Sequence, residues 1–130
     1  MVEMGIKFLH GTPYQSFVGE NREQMAECCK SLISSGGLLV AEYEGRLVGM
    51  IGFVVVSHFL SGEKVCGEMF WWVEPEYRRG LGIRLMRAAE NAAKLGGAKH
   101  MLMIAPNPEV ASMYERMNYQ FVETAYQRAL

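Results

Sequence analysis

Phe70-Trp71-Trp72-Val73-Glu74-Pro75-Glu76-Tyr77-Arg78-Arg79-Gly80-Leu81-Gly82-Ile83-Arg84 is the stretch that decides how this chain folds. Its first four residues close a strand that is too apolar to lie open to water on both faces. Pro75 stops that strand. Gly80 to Leu95 then carries Leu81, Leu85, Ala88, Ala89 and Ala92 at helical spacing until Gly96-Gly97, a left-handed stop. Strand, tight loop and helix start in this order present consecutive backbone N–H groups at a helix N-terminus. Such a terminus holds an anion: the glycines allow close approach, the helix dipole adds roughly half a positive charge, and arginines offer paired donors that match phosphate. A dinucleotide fold competes poorly, because Gly80-x-Gly82 is followed by Leu85 where a third glycine belongs and no acidic residue closes the next strand. A nucleoside-triphosphate loop lacks its Gly-Lys-Ser/Thr. Taken alone, the loop also fits an ordinary solvated helix start.

Upstream, Asn21 and Gln24 resemble a capping pair, and Met25, Cys28, Cys29, Leu32 and Ile33 recur at helical spacing until Gly36-Gly37. Leu38 to Tyr43 and Arg46 to Val56 are strand-like runs joined by Glu44-Gly45, which predicts a tight hairpin. Lys64 to Val73 is the third strand of that series. Ile6 to His10 reads as a short first strand, and the GTPYQSFVG that follows reads as loop. Downstream, Lys99 to Ile104 reads as a buried strand, Asn107 N-caps a helix with Pro108 at its first position, and Tyr119 to Leu130 returns to strand character. The order predicts a single α/β domain over residues 1–130 with a mixed sheet.

The bulk composition fits that reading. Half of the 130 residues are apolar and 21% are charged, with 13 basic against 14 acidic side chains and a net charge of -1. A globally basic nucleic-acid binder is thereby excluded, and aromatics are not interleaved with the arginines. No nucleic-acid partner is expected. The chain contains no aspartate, which removes Asp-rich calcium loops, and any acid or base must be Glu, His, Tyr or Cys. Cys28, Cys29 and Cys66 have no C-x-x-C spacing, so no metal is expected and the thiols read as reduced, in a cytoplasmic protein. The longest apolar run, Leu47 to Val56, is ten residues with two glycines. A bilayer span needs roughly 20 residues, so no membrane association is expected, and the first residues lack the pattern of a secretory signal.

Asn107 precedes Tyr114 in Asn107-Pro108-Glu109-Val110-Ala111-Ser112-Met113-Tyr114. Together with Val73-x-Pro75-x-Tyr77-Arg78-Arg79-Gly80-Leu81-Gly82 and the element order, this resembles the GNAT superfamily of acetyl-CoA-dependent N-acetyltransferases over about residues 36–130. The resemblance implies a mostly antiparallel central sheet, flanked by helices, with a V-shaped splay between the strands ending near Val73 and Ile104. It implies acetyl-CoA as acyl donor, with Arg78, Arg79, Gly80, Leu81, Gly82, Ile83 and Arg84 as the pyrophosphate cradle. Trp71, Trp72 and Val73 match the strand end whose backbone pairs with the pantetheine arm. Asn107 matches the asparagine on the pantetheine side, where a plain helix cap is the competing role. Tyr114 matches the tyrosine that protonates the departing thiolate, where a core aromatic is the alternative. Two positions depart from the family pattern. Either Tyr77 occupies the usual Gln/Arg slot or the loop is shorter by one residue, and the usual glycine after the last helix is Asn118, which also tolerates a left-handed backbone.

Acetyl transfer to nitrogen needs a neutral amine, a stabilised oxyanion and a leaving thiol. With a reference pKa near 10.4, only roughly one alkylamine in a thousand is neutral near pH 7. A base or a desolvating pocket must supply the rest. Glu68, on the strand leading into Trp71, is the best candidate base, set against a charged residue on a solvated strand face; His58 and Glu42 are weaker candidates. A backbone N–H near Trp72 or Val73 would meet the oxyanion. The expected activity is transfer to a primary amine of a small molecule or peptide, by direct attack in a ternary complex. The alternative is a non-catalytic acyl-CoA-binding or sensing module. A homodimer is expected at family level only.

Overall fold

The computed structural model describes all 130 residues. Helices α1 (Val2–His10) and α2 (Arg22–Ser35) precede strands β1 (Leu38–Tyr43), β2 (Arg46–Ser57) and β3 (Lys64–Val73). Helix α3 (Leu81–Leu95), the short strand β4 (His100–Leu102) and helix α4 (Pro108–Arg116) complete the order. Single 3₁₀ turns lie at Pro13–Ser16 and Pro75–Tyr77. The four strands form one sheet in the order β1-β2-β3-β4, antiparallel except for the parallel pair β3–β4. No helix is long and apolar enough to cross a membrane.

Local sequence accounts for much of this. The Asn21 side chain accepts the Gln24 N–H at 2.9 Å and starts α2. Glu44 and Gly45 both take positive φ, 48° and 77°, as a two-residue hairpin turn that follows the strand twist requires. The core lies between the sheet and α3, where Ile51, Phe53, Cys66 and Val73 pack on Leu85, Ala89 and Ala93.

Two features of the sheet shape the site. The β3–β4 ladder pairs only Val65, Cys66 and Gly67 with His100, Met101 and Leu102. Beyond Gly67 and Leu102 the strands part, which is the V-shaped splay. The β2–β3 register also shifts, so that Gly52 opposes Phe70 while Phe53 opposes Glu68 and Met69 is the extra residue. Strict alternation would put Glu68 and Trp71 on opposite faces; this bulge puts them on the same face, toward α3.

Two expected strands are absent. Ile6 to His10 is the second half of α1, which buries Met4, Ile6 and Leu9 on one side. Five residues are too few to reveal a helical period that Met4 and Leu9 make plain. Tyr119 to Leu130 forms no regular structure, and Phe121 and Tyr126 are 77% and 93% exposed. Strand-like composition becomes a strand only when a neighbour closes its ladder, and β4 at the sheet edge is three residues long. The strand read at Lys99 to Ile104 is shortened to His100–Leu102, because β3 diverges from it.

Candidate active site

The splay opens into a cleft of about 320 Å³. Glu68, Trp71, Trp72, Val73, Arg78, Gly80, Gly82, Ile83, Asn107 and Tyr114 all line it. Of the residues singled out in the sequence, Leu81 packs instead against the core, and Arg79 and Arg84 are exposed beside the cleft without lining it. Glu42 and His58 do not line it either; His58 sits at the β2–β3 tip, stacked on Phe59.

The α3 side of the cleft is backbone. Gly80 is the N-cap of α3 at φ 84°, a left-handed conformation that glycine adopts without cost, and it provides no side-chain cap. The first intrahelical bond shown runs from Arg84 N–H to the Gly80 carbonyl, 3.1 Å, so Leu81, Gly82 and Ile83 present N–H groups that precede the ladder. A Cβ at Gly82 would lie 2.9 Å from Cζ2 of Trp71, so the helix start and the indole touch only because this residue is glycine. Arg78 is held by the strand end: its Nε donates to the Val73 carbonyl at 2.8 Å, and its Cζ lies 4.6 Å from the centre of the Trp72 ring.

The α4 side is side chains. Asn107 Oδ1 accepts the Val110 N–H at 2.9 Å, so the residue does cap α4. Val110, Met113 and Tyr114 follow at helical spacing and face the cleft together. The Tyr114 ring stacks on Trp71, with centroids 6.1 Å apart, and meets Tyr119 at 5.7 Å. Asn118, at φ 67°, supplies the left-handed residue that brings Tyr119 back beneath it.

Between these walls, Glu68 and Tyr114 grip one residue. Glu68 Oε2 accepts the Ile104 N–H at 3.3 Å, and the Tyr114 hydroxyl donates to the Ile104 carbonyl at 3.3 Å. Burial lifts the Glu68 carboxyl to about 7, although the Ile104 N–H pulls the other way. Burial first, and then the nearby Glu68 charge, push the Tyr114 phenol well above its ordinary value, so it keeps its proton throughout the neutral range. Tyr119 is likewise pushed up to about 12, chiefly by burial. The site therefore pairs a carboxyl that titrates near neutrality, as a general base requires, with a phenol that holds its proton and can donate a hydrogen bond.

The sequence reading missed Phe8, Gly11 and Thr12, which bring the end of α1 and the residues after it to the cleft. Reading residues 6–10 as a strand hid Phe8, and Gly11 and Thr12 were read as part of a loop with no site assigned to it. The sequence reading also missed Ile104, whose contribution is its backbone N–H and carbonyl and carries no side-chain signature.

A family model for the acetyltransferase (GNAT) family matches residues 8–119. The chain has the same fold as the aminoglycoside antibiotic 6'-N-acetyltransferase AAC(6')-IG from Acinetobacter haemolyticus, at TM-score 0.71 and 17% identity, covering 99% of this chain and 88% of that one. A glucosamine-6-phosphate N-acetyltransferase from Arabidopsis thaliana superposes at TM-score 0.71 with 16% identity, over 99% of this chain and 93% of its own. The aminoglycoside N-acetyltransferase AAC(6')-Iy, solved in complex with CoA, gives TM-score 0.72 at 15% identity, over 100% and 91%. No curated protein sequence matches the chain. At these identities the solved structures speak for the fold alone, while the family match spans most of the chain, including every cleft residue named from Phe8 to Tyr114. On that span, this chain belongs to the GNAT acetyltransferase family.

Proposed function

We propose that this protein transfers an acetyl group from acetyl-CoA to a primary amine of a small molecule or peptide, by direct attack with both substrates bound. The observation that carries this reading is the pairing of Glu68 and Tyr114 on the two sides of the Ile104 residue, at the splay of the sheet. When bound, acetyl-CoA supplies the activated acetyl group as a thioester.

The residues present fit such a donor. The uncapped N–H groups of Leu81, Gly82 and Ile83, with Arg79 and Arg84 exposed beside them, suit a diphosphate. The indole N–H groups of Trp71 and Trp72 are buried without a hydrogen-bond partner, and both rings line the cleft, which suits an arm rich in carbonyl acceptors. The edge of β3 after Gly67 has no strand partner on the β4 side, so an extended arm can lie along it as an added strand does. Asn107 spends its Oδ1 on the α4 cap and keeps its amide N–H₂ for a ligand.

Glu68 then accepts a proton from the incoming ammonium at a carboxylate oxygen, directly or through water. Tyr114 gives its phenolic proton on the side where the thiol departs. Its raised phenol pKa keeps that proton in place throughout the neutral range, so the hydroxyl meets the departing sulfur as a hydrogen-bond donor. The deciding experiment measures thiol release from acetyl-CoA against a mixed panel of amines, peptides and polyamines. Acceptor-dependent release supports the transferase. Tight CoA binding with no release above hydrolysis on any acceptor points to an acyl-CoA-binding module.

A further inference from the structure

In the sequence, Arg78 belongs with Arg79 and Arg84 as a phosphate donor. Its surroundings give it different work. The Glu74 N–H donates to the Val48 carbonyl at 2.8 Å, so residues 48 and 74 form a hydrogen-bonded pair at the end of the β2–β3 ladder. Alternate residues of an antiparallel ladder turn their N–H and C=O to opposite edges, so Val73 directs both of its groups away from β2 and toward the splay. No strand lies there, because β3–β4 pairing ends at Gly67. The Val73 carbonyl is met by Nε of Arg78 at 2.8 Å. The same guanidinium lies 4.6 Å from the centre of the Trp72 ring, and Trp72 in turn packs toward Gly11 after α1. One planar group therefore joins the loop, the last residue of β3 and the aromatic wall.

We propose that Arg78 is a positioning residue: it fixes the Val73 carbonyl and the Trp72 indole so that the Val73 N–H keeps one direction toward the pantetheine arm, and its main contribution is not to the diphosphate. A free carbonyl beside the reacting thioester would turn partial negative charge toward developing negative charge, and the arginine covers it. Lysine cannot replace it, since an ammonium lacks the flat face that stacks on an indole while an edge N–H serves the carbonyl. Arg78 lies only five residues beyond Val73, within reach of its carbonyl.

The inference rests on the acetyl-CoA reading above, and the test separates the two. CoA is compared with pantetheine, which has the same arm and thiol but no phosphate, by titrating wild type, Arg78→Lys and Arg78→Met and following the indole N–H resonances. Both substitutions are expected to weaken CoA and pantetheine by the same factor, about tenfold. That loss should be the same at low and high salt. The Trp72 resonances should already be shifted in the free Arg78→Lys protein. A lysine variant that binds CoA like wild type, or losses seen with CoA but not with pantetheine, would make Arg78 a phosphate ligand and overturn the proposal. Wild type that binds neither compound overturns the acetyl-CoA reading itself, and the inference with it. Should Arg78→Met fail to fold, Arg78→Lys alone carries the comparison.

Discussion

The first turns of α3 and α4 reach the same cleft and are completed in opposite ways. Asn107 satisfies the start of α4 with its own Oδ1, on the N–H of Val110. Gly80 leaves the start of α3 without any side-chain acceptor. A helix start costs stability when its N–H groups go unpaired, so the capped end serves the fold while the open end leaves donors that the proposed diphosphate would take. The same division extends along the two walls. The α3 wall offers backbone donors and exposed arginines, suited to binding an anion; the α4 wall carries Tyr114 opposite Glu68, suited to moving protons.

If that division is right, substitutions on the α4 wall change turnover and those on the α3 wall change affinity. The largest effect expected is that of Tyr114→Phe, which should lower thiol release by about a hundredfold or more. Its CoA dissociation constant should stay near that of wild type, and equal release from the two proteins would remove Tyr114 from the chemistry.

Glu68 comes next, because its carboxyl titrates at about 7. Activity of the wild type should climb as pH rises through that value and level off above it, and Glu68→Gln should lose both the activity and the inflection. Stability runs the other way. Because burial raises the folded value above the ordinary 4.5, the folded protein holds a proton that the unfolded chain releases between 4.5 and about 7. The stability this group contributes is complete below 4.5, drains away across that window and is gone above about 7. Glu68→Gln keeps it, so its melting temperature should exceed that of wild type at about pH 8 and match it near pH 4, a difference on the order of 3 kcal/mol. Thermal scans at the two pH values read this without any acceptor.

On the α3 wall, Gly80→Ala forces a side chain into the left-handed region and should cost about 1–2 kcal/mol by denaturant titration. Arg79→Gln and Arg84→Gln should each weaken CoA severalfold, on the order of 1 kcal/mol, in low salt, with a loss that shrinks as salt rises. A salt-independent loss would move those arginines away from the diphosphate. The smallest effect sharpens the comparison most: Asn107→Ala should cost about 1 kcal/mol of stability through α4, and Asn107→Asp should restore it as a cap. If Asn107→Asp binds CoA as wild type does, the cap is the residue's whole contribution; weaker binding assigns a role to its amide.

Legibility followed distance along the chain. The hairpin turn at Glu44-Gly45, the Asn21 and Asn107 caps and the Gly80 helix start are settled by interactions within four residues, and all could be read from the sequence. The same holds for the Gly-Arg loop as an uncapped helix start and for Tyr114 as a residue on the helix that Asn107 caps. Glu68 could be named but not aimed, because its facing depends on the Met69 bulge and its partner, Ile104, lies 36 residues away, beyond the end of the parallel strand β4.

The sequence by itself determined where donors suited to an anion stand and which residues can move a proton, since hydrogen-bonding capacity and charge are properties of single residues and short turns. The tertiary structure alone decided that Glu68 and Tyr114 share one peptide neighbour, that burial lifts the Glu68 carboxyl to about 7, and that Arg78 turns back to Val73. It also decided that residues 6–10 continue a helix and that residues 119–130 stay unpaired. Burial and strand pairing join segments far apart in the chain. They arise only when those segments pack together, which no window of local sequence contains.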